Sequence, residues 1–210
     1  MSVVFANRKA LCGSAMVAFI VVLAVAGPLF LGDPNAFVGV PLQGPSAAHW
    51  FGTTGQGQDV FTQTVAGARP TLVVAALVGV GVTIIGALVG AYGGFRGGRV
   101  DDALSLLTNV FLVLPGLPLM VVIAAWAPPG PVTIAAVLVI TGWAWPARII
   151  RSQTLVLRNE AFVEAAIVAG DAPLRIVLVE LLPNMASIVV SGLIGATVYA
   201  VGAQVGLEFL

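Results

Sequence analysis

Few side chains in this sequence are able to do covalent or acid–base chemistry. His49 is its one histidine, Lys9 its one lysine and Cys12 its one cysteine. A hydrolytic Ser-His-Asp arrangement would have to use His49, and no G-x-S-x-G elbow accompanies it. A helical H-E-x-x-H zinc site needs two histidines. A phosphate-cradling G-x-x-x-x-G-K-[ST] loop needs a lysine behind its glycines, and Lys9 stands in no such context. Cys12 excludes an intramolecular disulfide and a cysteine-based zinc site; inside an apolar run it reads as a buried, inert thiol. No catalytic residue and no metal ligand is assigned. What remains is a concentration of charge. Arg148 to Glu180 holds Arg148, Arg151, Arg158 and Arg175 together with Glu160, Glu164, Asp171 and Glu180. Glu160 and Glu164 share a helical face, where like charges cost a few tenths of a kcal/mol. The pair suits a solvated face or a basic partner.

The elements that position these groups follow from composition. The chain has 210 residues, of which 59% are hydrophobic and only 9% charged. Its mean hydropathy is +1.07. A soluble domain carries about 25% charged residues, so a soluble enzyme is disfavoured. A nucleic-acid binder would need a basic stripe, and the formal net charge is zero with no such stripe. Uncharged runs cover Ala10 to Leu31, Pro70 to Phe95, Ala103 to Ala147 and Leu181 to Leu207. A helix crosses the hydrocarbon core with ~20 apolar residues. The run from Ala103 is long enough for two crossings, broken at Pro128, Pro129, Gly130 and Pro131. The expectation is an all-α polytopic membrane protein, a helical bundle of five spans at about 10–31, 70–92, 103–127, 132–149 and 185–207. Residues 1–69 form the first span plus a loop, and 70–210 the core domain with a further loop at 150–180. Ala24-Val25-Ala26 resembles a signal-peptide cleavage site, but the apolar run continues to Leu31, so the segment reads as a retained span. Arg8, Lys9, Arg96, Arg99, Arg148, Arg151, Arg158 and Arg175 fall on one side and only Arg69 on the other. The positive-inside rule then places the N-terminus and loop 150–180 in the cytoplasm.

Within the spans, Gly86, Gly90, Gly94 and Gly98 recur every four residues, a face that lets another helix approach closely. Gly202 and Gly206 repeat the spacing. Pro115-Gly116-Leu117-Pro118 breaks the third span, as a packing kink or as the lining of a pathway. Trp126, Trp143 and Trp145 read as an interfacial belt. The acidic residues lie outside the spans or in their end turns, which argues against a proton- or sodium-driven carrier. Gly55-Gln56-Gly57-Gln58-Asp59 is loosely similar to an intramembrane aspartyl protease motif, but its spacing is off by one and it lies outside any span.

Loop 150–180 reads as a helical hairpin. Phe162, Val163, Ala166 and Ile167 make an apolar stripe, Gly170 ends the helix in the left-handed conformation, Asp171 is placed as the next N-cap, and Pro173 opens the second helix. Such a hairpin on a membrane bundle without an ATP site suggests docking to a soluble subunit.

Glu164-Ala165-Ala166, Gly170 and Leu182-Pro183 resemble the EAA loop of bacterial ABC-importer permeases, with Glu180 standing where that pattern has an apolar residue. Phe51-Gly52-Thr53, Gly57, Asp59-Val60, Gly67-Ala68-Arg69, Tyr92-Gly93-Gly94 with Asp101, Pro146-Ala147-Arg148 and Gly206-Leu207-Glu208-Phe209-Leu210 are similar to the dipeptide/oligopeptide/nickel family, C-type subunit. Thr54, Gln58 and Gln63 replace residues usually charged there. The resemblance implies a type I ABC-importer transmembrane domain, normally of six spans, in the bacterial cytoplasmic membrane. It implies a second homologous permease, two ATP-binding subunits that hold ATP and Mg, and an extracytoplasmic binding protein, with no cofactor in this chain. Phe162, Val163, Glu164, Ala165, Ala166, Gly170 and Asp171 would couple to the ATPase subunits. The helix carrying Asn109, Pro115, Pro118 and Met120 would line the pathway, and Gly86, Gly90 and Gly94 would serve helix packing. Peptides are the expected cargo. Nickel or haem, a stand-alone channel or carrier, and an intramembrane enzyme using His49 and Asp59 are the alternatives.

Overall fold

The computed structural model describes residues 8–208 apart from 115, 127 and 129. Among these the regular structure is helical, with one isolated bridge between Thr53 and Asp59. The elements are α1 (Arg8–Phe30), α2 (Val60–Arg96), α3 (Gly98–Val113), α4 (Gly116–Ala125), α5 (Pro131–Gly142), α6 (Ala144–Leu157) and α7 (Ala161–Val168). A composite rod follows, made of α8 (Pro173–Arg175), a π-helix (Ile176–Leu181) and α9 (Leu182–Asn184), and then α10 (Ala186–Glu208). The helices α1 and α2 and residues 186–207 of α10 are long and apolar enough to cross a membrane. The pair α5 and α6, bent by 41° at Trp143, makes a fourth candidate. The expected third span is two helices of 16 and 10 residues. Leu114, between them, is extended at φ −62° and ψ 133°, as a residue before proline prefers.

The chain divides into two compact units at Val73/Val74. In the first, Val65 of α2 packs where Gly27 of α1 has no side chain, so the two helices meet without a Cβ between them. Cys12, expected to be buried, is exposed, because α1 buries little beyond Ala24. The loop between α1 and α2 is tied by its own polar groups. Thr53 Oγ1 donates to the Val40 carbonyl at 2.6 Å and accepts from the Gln43 amide at 2.9 Å. Gln63 Nε2 donates to Gln58 Oε1 at 2.6 Å and to the Pro34 carbonyl, so neutral amides make a network here. Asp59 is the N-cap of α2: its Oδ2 accepts from the Thr62 hydroxyl at 2.7 Å and the Thr62 amide at 2.8 Å. These bonds, with His49 Nδ1 3.1 Å from Oδ1, hold the Asp59 carboxyl below its ordinary range. That cap starts α2 ten residues before Pro70, so the helix is longer than its apolar run.

The second unit has three apolar clusters. Val74, Val78 and Val82 of α2 meet Met120, Val137, Leu138 and Ala200. Ala87 and Ala91 of α2 meet Ile150 of α6, Val163 and Ala166 of α7, and Ile176, Val177, Leu181 and Met185 beyond it. Trp143, Ala144 and Ala147 pack with Val89, Phe111 and Leu112. Trp143 is therefore core rather than belt, whereas Trp126 and Trp145 are exposed. In a bilayer such contacts stabilise by close packing rather than by removal from water, which rewards small residues at the crossings.

Candidate functional site

The hairpin that follows α6 is built from short-range rules. Glu160 is the extended residue before α7, and it starts the helix through its backbone carbonyl, which accepts from the Glu164 amide at 3.2 Å. The helix closes on Gly170 at φ +82°. The Gly170 amide donates to the Ile167 carbonyl at 3.0 Å and the Asp171 amide to the Ala166 carbonyl at 3.1 Å. That pair of bonds is the Schellman ending, and its left-handed residue favours glycine. Asp171 does not cap the next helix as expected. Ala172 holds the N-cap position, with Pro173 in the first turn, and the Asp171 carboxylate instead takes a 2.5 Å bond from Arg175 Nη1. The rod continues as a π-helix in which the Leu182 amide reaches back to the Val177 carbonyl. Pro183 follows, where no N–H is available to continue the α-helical ladder.

The two faces of α7 differ. Val163 is 0% exposed and Ala166 8%, both in the cluster with α2 and α6. Phe162 is partly buried against the same cluster. Glu164 and Ala165 are exposed, and so are Ile167 at 53% and Val168 at 83%. Of the apolar stripe, Ile167 belongs to the open face. The hairpin thus presents two apolar side chains and a carboxylate that no other described residue covers.

Behind the hairpin, α6 is held against α2 and α3. A Cβ at Gly90 would overlap the Ala147 carbonyl oxygen. One at Gly86 would lie 2.9 Å from Pro146 Cγ, and one at Gly94 3.0 Å from the Arg151 carbonyl oxygen. The three glycines therefore form a seam along α6. Arg158 Nη1 donates to the Gly94 carbonyl at 3.1 Å. Arg151 donates from Nε and Nη2 to the two carboxylate oxygens of Asp101 at 2.5 and 2.6 Å.

Of the residues placed on a pathway, Asn109 and Pro118 are exposed and Pro115 lies outside the described residues. Met120, at 2% exposed, is a core side chain rather than a lining one. A cavity of about 810 Å³ opens elsewhere, between α2, α3, α5, α6 and α10, with Val82, Thr141, Trp145, Ser191 and Tyr199 on its wall. The sequence signal for it was faint: hydroxyls scattered in apolar runs. The structure brings His49 and Asp59 together, with Nδ1 3.1 Å from Oδ1, and the hydroxyl of Ser46 accepts from the His49 amide rather than from the ring.

A sequence profile of the family described as "Binding-protein-dependent transport system inner membrane component" matches residues 83–210. The chain belongs to this family. The matched region contains the hairpin, α6, most of the cavity wall and the Asp101–Arg151 pair. The dipeptide transport system permease protein DppC of Bacillus subtilis is 35% identical over 208 residues, covering 97% of this chain and 64% of that protein. The oligopeptide transport system permease protein OppC of the same organism is 32% identical over 188 residues, or 88% and 62% of the two chains. The OppC protein of Mycobacterium bovis is 32% identical over 212 residues, or 97% and 72%. The chain thus spans less than two thirds of the length of the two Bacillus relatives. It is an all-α polytopic membrane protein of a transport-permease family.

Proposed function

We propose that the chain is a membrane permease subunit of an ATP-driven ABC importer that moves di- and oligopeptides into the cytoplasm by alternating access. The observation that carries this reading is the hairpin: α7 buried on Val163 and Ala166, turned at Gly170, and open at Glu164, Ile167 and Val168. An exposed apolar patch with one carboxylate fits a groove on a soluble partner. That partner is a pair of ATP-binding subunits, which supply ATP and Mg; this chain has no lysine placed for a phosphate loop. A second, homologous permease completes the pathway, and a binding protein delivers cargo from outside. The arginine bias puts the hairpin and the N-terminus in the cytoplasm of a bacterium, with the chain in the cytoplasmic membrane.

Peptide is favoured as cargo by the names of the relatives and by the cavity wall. Its polar groups are the hydroxyls of Thr141, Ser187, Ser191 and Tyr199 among apolar side chains, which suits cargo of varied sequence. A nickel pathway would gain from His, Cys or carboxylate ligands, and none of these residue types is on that wall. The test is purification of the chain with its neighbours from native membranes, followed by uptake assays in vesicles. The expected result is retrieval of ATP-hydrolysing subunits and ATP-dependent accumulation of a labelled dipeptide. Uptake by the chain alone, driven by an ion gradient, would refute the importer reading; accumulation of nickel but not dipeptide would refute the cargo.

A further inference from the structure

The hairpin explains where a push from a partner arrives, but not how it reaches α3, which borders the cavity at Leu112. The route is visible in the contacts of α6. At one end, Arg151 grips Asp101 in the first turn of α3 through two parallel hydrogen bonds. Ser105, one turn on, adds a 3.3 Å bond to Asp101 Oδ1. At the other end, the Phe111 ring of α3 lies 5.2 Å from Trp143, at the bend between α5 and α6. The two contacts are ~15 Å apart along α3 at 1.5 Å per residue. Two attachments at that separation fix the orientation of one helix on another as well as their distance. Asp101 is 8% exposed and its pairing is planar and bidentate, a geometry that a point charge cannot reproduce.

We infer that Asp101 and Arg151 are the transmission joint of the transporter, positioning residues that make α3 move with α6 when the hairpin is displaced. The chain from α7 to α6 is short, since only Arg158, Asn159 and Glu160 separate them. A displacement of α7 therefore enters α6 without slack. The glycine seam seats α6 closely on α2, with Pro146 against Gly86 and Thr154 against Gly94. The ion pair is the polar one of the two attachments that hold α6 on α3. Cutting it leaves helices, spans and the open face of α7 in place and disconnects the cavity wall from ATP turnover.

This rests on the importer reading, and the test separates the two. Assembled transporter is placed in proteoliposomes, and dipeptide accumulation and ATP hydrolysis are measured in the same vesicles. Arg151→Lys keeps the charge and loses the fork; Arg151→Ala and Asp101→Ala remove one partner each. The three variants are expected to retain their ATP-binding subunits on purification. The two Ala variants should lower the peptide moved per ATP at least about fivefold, the lower end of site-to-site coupling, and Arg151→Lys should fall between. The exchange of Asp101→Arg with Arg151→Asp should restore the ratio to within about twofold of the native chain. An unchanged ratio in Arg151→Lys and Arg151→Ala overturns the inference, as does a loss in the single variants that the exchange does not recover. If, after such a result, Gly170→Leu in the hairpin turn abolishes uptake in the same assay, only the joint has failed. If Gly170→Leu also transports normally, the hairpin reading has failed with it.

Discussion

Gly170 offers the sharpest perturbation of the hairpin. Its φ of +82° lies in the region where an L side chain costs ~1–2 kcal/mol. An added Cβ would find nothing within 4 Å in this chain, so the intramolecular cost is backbone strain alone. That strain is nearly the same for Ala and Leu, and smaller for Asn, which tolerates the left-handed conformation. A cost of ~1–2 kcal/mol shifts the turn equilibrium roughly five- to thirtyfold. Gly170→Ala should therefore reduce uptake partially, and Gly170→Asn should stay near the native rate. Gly170 is itself exposed, so a further loss of uptake beyond Ala without a further loss of thermal stability reports a surface pressed against the turn from outside. The assay is uptake in membranes, with thermal unfolding of the detergent-solubilised chain to read the strain. We expect Ala and Leu to unfold alike and Leu alone to abolish uptake and partner retention. Equal uptake by the Ala and Leu variants would refute the claim that a partner covers the turn.

Three further outcomes follow from the same geometry. Gly90→Val should destabilise the chain by about 1–3 kcal/mol through overpacking against the Ala147 carbonyl, while Gly202→Ala, inside α10 with open space around it, should not lower thermal stability. Cysteines placed at exposed Gln43 and Asn159 in a Cys12→Ser background should be labelled by an impermeant reagent in intact cells at 43 only; labelling at 159 only would invert the topology. The Asp59 carboxyl is held below its ordinary 3.8 mainly by its bonds from Thr62. Its contribution is present above that value and lost as pH falls through the lowered one. Protection of the Thr62 amide, relative to the unstructured exchange rate at the same pH, should therefore hold at neutral pH and be lost only at strongly acid pH. Asp59→Ala should lose ~0.5–2 kcal/mol of capping at neutral pH; an Ala variant with native protection at Thr62 would contradict the cap.

The sequence carried the class of fold because apolarity and arginine placement are long-range averages, insensitive to any one residue. It carried the Gly170 turn because a left-handed helix ending is a local demand with a glycine signature. It misjudged helix ends where polar and apolar criteria diverge: the Asp59 cap extends α2 well before its apolar run. It placed Trp143 in a belt because tryptophan at a span end looks the same in sequence whether it faces lipid or Phe111. Met120 was given to a pathway by its helix alone, and the side of that helix is decided by partners distant in sequence, Val78 and Leu138 among them. The Asp101–Arg151 pair joins residues fifty positions apart and left no periodic trace at all.

The central claim is that the open face of α7 is covered by an ATP-binding subunit. A photo-crosslinking residue at Val168 or Glu164, in membranes holding the whole transporter, tests it directly. The account predicts an adduct between this chain and an ATP-hydrolysing protein from both positions, and none from exposed Trp126 at the end of the expected third span. Adducts from Trp126 but not from Val168 or Glu164 would contradict it.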